Sequence, residues 1–592
     1  MIKSFSTPNK IFWLLAASAL LALLLAACQS PRHVDSNTRV NTRSGPVAGF
    51  AHSEGVVAWL GIPYAAPPIN ELRWRAPAKP ASWQDLRPAM EFGQPCVQLP
   101  NFTIQEKPRA PRITVGQEDC LTLNVFAPRE VLESKQPLPV MFWIHGGGNT
   151  SGASLSYNGG PLASGQQVVL VTFNYRLGLF GYFRHPGLRD AQTSLAEQSG
   201  NFGILDIIAG LQWVQDNITA FGGDKNNVTV FGESAGGKNT WALVQTHLAT
   251  GLFHKAIVQS GSLRLMDPDK SESISPNAPD YKVYRNNTSE VLDRVLPGAS
   301  AMREEAVASA LRAKSADEMY VGIKLNDAGS HRQPRLFLDG FMFKQPALDL
   351  LAQPGNYNSV PIITGANRDE DKLFMQYNPK WVKKRFGLIR TLRDPERYDL
   401  AARYASDYWR VLTVDEPARV ISASDGAPVY AYRFDFDNHL RWPINLVDLV
   451  GAAHALEIPF VFGTHEEAPW SKIFRARKER AVLSDIMMDY WGGFAHNGKP
   501  GRGRSGTQPE WKQWRSGAEQ LMMFDIYSDG GVRMSESPLR VAEIKHRLAV
   551  DDSLSASEKC KAYSDLFLNG YQTPDYYSEA EFLNFAGANC AL

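Results

Sequence analysis

Residues Asn226–Thr240 read NNVTVFGESAGGKNT. Val228, Val230 and Phe231 form a short β-favouring run, and Gly232, Ser234 and Gly236 then spell Gly-Glu-Ser-Ala-Gly. Gly237 and a helix-compatible stretch follow. A serine hydroxyl is a poor nucleophile until a base takes its proton, a third group orients that base, and donors await the oxyanion. A sharp strand-to-helix turn lifts such a hydroxyl above a sheet, and the crowding it causes demands small residues on both sides. Gly-x-Ser-x-Gly can also arise by chance or as a structural turn. The strand before it and the helix after it favour the nucleophile.

The surrounding pattern predicts the sheet. Pro139–Ile144 (PVMFWI) and Val168–Phe173 (VVLVTF) are continuous apolar runs, as expected of strands buried on both faces of a parallel sheet. Between them and the serine, Gly203–Ile218 (GILDIIAGLQWVQDNI) has apolar residues at helical spacing and ends in AFGGD, with glycines where a helix stops. Cys120–Phe126 (CLTLNVF) alternates like a half-buried strand, while KAIVQSG, VPIITG and APVYAYRFDF supply further strands. A helix is expected over 481–496, and the polar, patchily helical segments 264–335 and 372–428 are expected as insertions above the sheet. The alternation predicts an α/β fold with a large, mostly parallel twisted sheet flanked by helices. No linker interrupts residues 43–592, which are expected to form a single domain.

The chain of 592 residues is 44% hydrophobic and 21% charged, which fits a globular protein. Its 62 basic and 61 acidic residues leave a net charge of +1, so there is no electrostatic case for a nucleic-acid partner. Lys3 and Lys10 precede the apolar run Ile11–Ala27, the layout of an export signal. That run ends in Leu25-Ala26-Ala27-Cys28, which resembles a bacterial lipoprotein signal. The resemblance implies that residues 1–27 are removed and that Cys28 carries the lipid; the polar composition of residues 29–42 suggests that 28–42 form a tether. A plain transmembrane anchor is the alternative, at the short limit for spanning. Gln29 after the cysteine would direct a Gram-negative lipoprotein to the outer membrane, so the expected location is the cell envelope, at the periplasmic face of that membrane or the cell surface.

The four cysteines left, Cys96, Cys120, Cys560 and Cys590, allow three pairings. Proximity along the chain suggests Cys96 with Cys120 and Cys560 with Cys590. No histidine or cysteine pair has zinc-ligand spacing, and HEEAP at 465–469 is not a metalloprotease motif, so no metal is expected.

His145-Gly146-Gly147-Gly148 follows the PVMFWI strand, and its glycines let backbone amides turn into a pocket without Cβ obstruction. Such a loop and the residue after the nucleophile form the oxyanion hole of α/β-hydrolases, which assigns the amides of Gly147, Gly148 and Ala235 to that role. Over residues 43–500 the chain resembles the type-B carboxylesterase family, which includes the cholinesterases. The resemblance is carried by GIPYAAPP, EDCLTLNVFAP, WIHGGG, NYRLGLFGYF, FGESAGG, QSGS, TGANRDED and GAAHALEIPFVFG. It implies an α/β-hydrolase fold, hydrolysis of small carboxylic esters and no cofactor.

The family order is Ser, then acid, then His. His454 matches the family's histidine motif, and Glu370 in RDED falls on the family's glutamate. The residues themselves do not choose among Asp369, Glu370 and Asp371. Ser260 in QSGS matches a family serine near the histidine, and a plain structural turn accounts for it equally well. The resemblance also makes Cys96–Cys120 the family's first disulfide. Three places depart from the family: Asp371 stands where glycine is usual, Asn149 where an aromatic is common, and Lys238-Asn239-Thr240 where small residues follow the serine. The expected activity is a serine carboxylesterase; a lipase for longer esters and a catalytically silent adhesion member of the fold are the alternatives. For the amino terminus, Cys28→Ser is expected to leave the precursor uncleaved or release the mature protein, read by membrane fractionation and intact mass; normal lipidation would refute the assignment.

Overall fold

The computed structural model describes residues 33–100, 113–134, 136–189, 193–325, 332–385, 389–442, 444–568, 576–587 and 590. The expected signal and its Cys28 lie outside the described residues. Eleven strands form one sheet: β1 (Phe50–Ser53), β2 (Val56–Pro63), β3 (Thr122–Pro128), β4 (Leu138–Ile144), β5 (Val169–Phe173), β6 (Gly223–Glu233), β7 (Lys255–Gln259), β8 (Ile362–Asn367), β9 (Val429–Phe434), β10 (Leu521–Phe524) and β11 (Arg533–Ser535). Their spatial order is β11-β10-β9-β8-β7-β6-β4-β5-β3-β2-β1. Pairing is parallel from β5 through to β10 and antiparallel at both edges. This is the α/β architecture that the alternation of apolar runs and helical spacing predicts.

The apolar runs have two faces to cover, and alternate residues serve each. In β4, Val140, Phe142 and Ile144 enter one core while Met141 and Trp143 enter the other. The first core contains helix α1 (Phe202–Asn217), and the second contains α4 (Arg477–Asn497), represented by Met487, Tyr490 and Trp491. Gly222 ends the turn after α1 in the left-handed conformation, φ 84°.

Three features differ from the sequence expectations. The β3 strand is buried on both faces rather than one: Asn124, polar and expected outward, donates to Thr172 Oγ1 (3.0 Å) and accepts from the Gly61 amide (3.0 Å). Its amide satisfies groups inside the sheet, so polarity does not mark exposure there. Residues 35–42, expected as part of a tether, are packed on the fold. Asp35 pairs with Arg129 (2.8 Å), Thr38 is fully buried, and Val40–Asn41 pairs with Pro46–Ala48. The segment 372–428 contains a hairpin, Val382–Arg385 with Ile389–Leu392, besides its helices.

Both cysteine pairs are disulfide-bonded, Cys96–Cys120 with Cα atoms 5.0 Å apart and Cys560–Cys590 with 5.5 Å. The second lies in a carboxy-terminal layer with its own core, in which Ile544, Leu548 and Phe567 pack on Tyr408 and Val411. Tyr408 belongs to helix α3 (Pro395–Arg410), so this layer sits on the insertion rather than on the sheet.

The loop after β5 is tied to α1 by a buried ion pair. The Arg176 guanidinium holds both oxygens of Asp206 at 2.8 and 2.7 Å, and the Arg176 amide adds a third bond of 3.0 Å. Both side chains are almost wholly buried, at 3% and 0% exposure. Breaking such a pair strands a charge, so Asp206→Ala is expected to destabilise the fold by about 3–5 kcal/mol in denaturant unfolding; a loss under about 1 kcal/mol would contradict this reading.

Candidate active site

The serine turn is built by steric exclusion. β6 ends at Glu233, and helix α2 (Ala235–Gln245) begins one residue after Ser234. Ser234 sits at φ 59° and ψ −116°, a region that costs a non-glycine residue about 1–3 kcal/mol. The turn is held from both sides: the Ser234 amide donates to Gln259 O on β7 (2.8 Å), and the Lys238 amide donates back to Ser234 O (2.9 Å). A Cβ on Gly236 would lie 1.9 Å from the Ile144 carbonyl oxygen, and one on Gly232 would lie 2.6 Å from the same oxygen. The two glycines are therefore what lets β6 turn against the end of β4.

The glycine loop begins at that same strand end. Gly147 and Gly148 adopt φ of 100° and 66°, and the Gly147 carbonyl accepts from the amides of Thr150 and Ser151. Among the described residues the Gly147 and Gly148 amides find no acceptor. Ala235 lies in the first turn of α2, where amides have no intrahelical partner. A Cβ on Gly146 would stand 3.2 Å from Ser234 Cβ, which puts the loop directly against the serine. Asn149, one of the departures from the family pattern, takes φ 56°, a conformation asparagine tolerates better than an aromatic residue. Its amide exchanges hydrogen bonds with the amide of Asn239, at 3.0 and 2.9 Å. Two departures thus compensate one another behind the loop.

The acidic run 369–371 divides into three jobs. Asp369 Oδ2 accepts from Arg368 and from the Ala452 amide (2.9 Å), tying the loop to the histidine segment. Asp371 precedes the short helix Lys372–Met375, its amide donating to Ser406 Oγ (3.2 Å). Glu370, fully buried, reaches the histidine: His454 Nδ1 donates to Glu370 Oε2 at 2.5 Å. The other oxygen of Glu370 accepts from Ser260 Oγ (2.6 Å) and the Asn367 amide (2.8 Å). Ser260 therefore acts on the acid that holds His454, and is more than a turn residue. The His454 ring packs against Trp409 and Phe374, with centroids 4.9 and 5.5 Å away.

Two buried glutamates were missed by sequence reasoning. Glu233, the variable residue of Gly-x-Ser-x-Gly, places Oε1 3.1 Å from His454 Nε2. Glu457, three residues after His454, accepts from Asn367 Nδ2 (2.6 Å) and Gln259 Nε2 (3.0 Å). The available signal was a charge inside an otherwise small or apolar motif. Burial pulls the His454 imidazole down, but the Glu233 and Glu370 carboxylates overcome it and hold it at about 9. Burial pushes the Glu233 carboxyl well above the usual range; His454 opposes that, and the Glu457 and Glu370 charges add to it. The imidazole and Glu233 each favour the charged form of the other.

Ser234, Ala235, His454 and the Gly147–Gly148 loop line one cavity of about 1620 Å³. A strained serine at a helix start, a row of unpaired amides and a carboxylate-held imidazole together have the parts needed for acyl transfer.

The fold with this turn is that of an α/β-hydrolase. The carboxylesterase family model matches residues 36–395 and 390–539. The chain is 34% identical over 512 residues to the para-nitrobenzyl esterase of Bacillus subtilis (strain 168), covering 82% of this chain and 94% of that protein. It is 31% identical over 565 residues to the fumonisin B1 esterase of Sphingopyxis macrogoltabida, covering 90% and 94%. Among solved structures, a Geobacillus stearothermophilus carboxylesterase superposes with a TM-score of 0.67 at 28% identity, covering 86% of this chain and 99% of that one. The chain belongs to the carboxylesterase family and is a carboxylic ester hydrolase.

Removing the Glu233 charge takes away the largest upward influence on the imidazole. Glu233→Gln is therefore expected to make the His454 ring titrate at lower pH than in the unaltered protein, followed by NMR of the imidazole resonances. An unmoved titration would mean that Glu370 and Glu457, without Glu233, set the ring's basicity.

Proposed function

We propose that the protein hydrolyses carboxylic esters through an acyl-enzyme on Ser234. His454 takes the Ser234 proton as Oγ attacks the ester carbonyl. The Gly147, Gly148 and Ala235 amides receive the oxyanion, and Glu370 orients the imidazole and stabilises its charged form. The His454 proton passes to the departing alcohol. Water then attacks the acyl-enzyme, giving up a proton to His454, and the acid leaves as Ser234 recovers its proton. No step requires a cofactor.

The observation that carries this reading is the 2.5 Å contact between Glu370 and His454 beside a cavity that also exposes Ser234. Relatives named for esterase activity support it. The size of the cavity, about 1620 Å³, keeps a lipase acting on longer acyl chains as the second reading. The proposed setting is the cell envelope, with Cys28 as the lipid anchor, supported by the Leu-Ala-Ala-Cys run after an apolar segment.

Hydrolysis of p-nitrophenyl esters of increasing chain length tests the reading. Ser234→Ala is expected to lower kcat by about 10⁴-fold or more, and Glu370→Gln by about 10⁴-fold. An organophosphate should add one covalent adduct to the unaltered protein and none to Ser234→Ala, by intact mass. Activity that survives Ser234→Ala would remove the assigned nucleophile, and rates that climb with chain length would favour the lipase.

A further inference from the structure

The cavity that holds Ser234 reaches well beyond the reacting groups. Beside the imidazole it is lined by Trp409 and Phe374, whose rings stack on each other 5.9 Å apart and pack on His454. From there the lining runs along α3. Arg397, Leu400, Ala401, Tyr404, Ala405 and Tyr408 all face the cavity, and they recur at the spacing of a single helix face. Arg397 and Tyr408 are about 16 Å apart along the helix axis.

The facing wall comes from the carboxy-terminal layer. Leu554 precedes helix α5 (Ala556–Tyr563), which presents Glu558, Lys561 and Ala562 to the cavity. The helical turn Ser564–Leu568 continues α5 and adds Asp565 and Leu566. This wall is fastened to α3. The Tyr404 hydroxyl donates to Asp551 Oδ2 (2.8 Å), Arg547 pairs with Asp407 (2.6 Å), and the Tyr408 ring packs edge-on against Phe567, 4.9 Å between centroids. The Cys560–Cys590 disulfide ties α5 to the end of the layer. The family match stops at residue 539, so the wall lies outside the pattern that defines the family.

The two walls differ in polarity from floor to rim. Leu400, Ala401, Ala405, Leu554, Ala562 and Leu566 are half-buried, so apolar surface remains open between the helices. Glu558, Lys561 and Asp565 are exposed, and the ion pairs Arg397–Glu558 (3.4 Å) and Lys561–Asp565 (3.1 Å) put the charge at the edge. A hydrocarbon chain lying between the walls would take that apolar surface out of water, at about two- to fourfold in binding per methylene. The groove and Ser234 share one cavity, so its occupant can be part of the ester being cleaved.

We infer that α3 and the carboxy-terminal layer form a groove for a long unbranched apolar chain on the ester, so that the layer selects medium- to long-chain esters. The inference rests on the esterase reading and adds the substrate class and the element that selects it. The length of the α3 face fits an extended chain of about ten carbons.

The test uses esters in monomeric solution, below their micellar concentrations, in two series: p-nitrophenyl esters from acetate to decanoate, and acetates from ethyl to decyl. The first lengthens the acyl half and the second the alcohol half. In at least one series kcat/KM is expected to rise by about tenfold or more, mainly through KM. Ala405→Trp on α3 and, separately, Ala562→Trp on α5 fill the groove from opposite walls. Each is expected to lower the long-to-short ratio of kcat/KM in that series by about tenfold. Calorimetry with decanol on Ser234→Ala is independent of turnover: binding is expected, and should be lost when Ala562→Trp is added. Short esters turned over with no gain from chain length in either series would overturn the groove and leave the esterase standing. A long-chain preference that both filling variants leave intact would do the same. If no ester is turned over, the esterase reading falls, and absent decanol binding then overturns the groove as well. Should neither filling variant fold, decanol binding to Ser234→Ala decides alone.

Discussion

The whole site depends on a contact that almost cannot be made. The end of β4 and the start of α2 meet at the Ile144 carbonyl oxygen, with room for hydrogen but not for a Cβ at positions 232 and 236. That closeness forces Ser234 into a conformation serine seldom adopts. It also puts the glycine loop, which continues from Ile144, against the serine side chain. The serine and the glycine loop are thus fixed by one crowded junction between neighbouring parallel strands. The energy for holding it comes from the cores on both faces of the sheet, which secure β4, β6 and β7 in register.

The histidine arrives from a different direction, and charge does the positioning. Glu370 is held by Ser260 and Asn367, and Asn367 also holds Glu457, so the two acids are fixed by a shared residue. Asp369 fastens the same loop to the segment that carries His454. Each carboxylate is buried or nearly so, and each finds donors, which is the condition for keeping such groups inside a protein. The outcome is an imidazole more basic than an ordinary histidine despite its burial.

The departures from the family pattern lie beside that machinery. The departures after the glycine loop and after the serine resolve into two effects. Asn149 and Asn239 pair with each other and support the loop from behind. Lys238 joins the cavity wall. The carboxy-terminal layer, past the matched residues, contributes Leu554, Glu558 and Leu566 to the same cavity. Its apolar side chains need α3 to cover them, which explains why this layer sits over the insertion.

The sequence by itself determined the α/β class, the order of the strands along the chain, the serine turn and the glycine loop, because those depend on local pattern: apolar runs, helical spacing and residues without a Cβ. It also narrowed the cysteine pairings by proximity. It could not distinguish Asp369, Glu370 and Asp371, since three adjacent carboxylates differ only in what they face once β8 and the His454 segment are brought together. It missed Glu233 and Glu457 for the same reason, and it read Asn124 and residues 35–42 as more exposed than they are. Tertiary structure decided these points because burial, hydrogen-bond partners and the field at a titrating group are made by residues that are distant in the chain and adjacent only after folding.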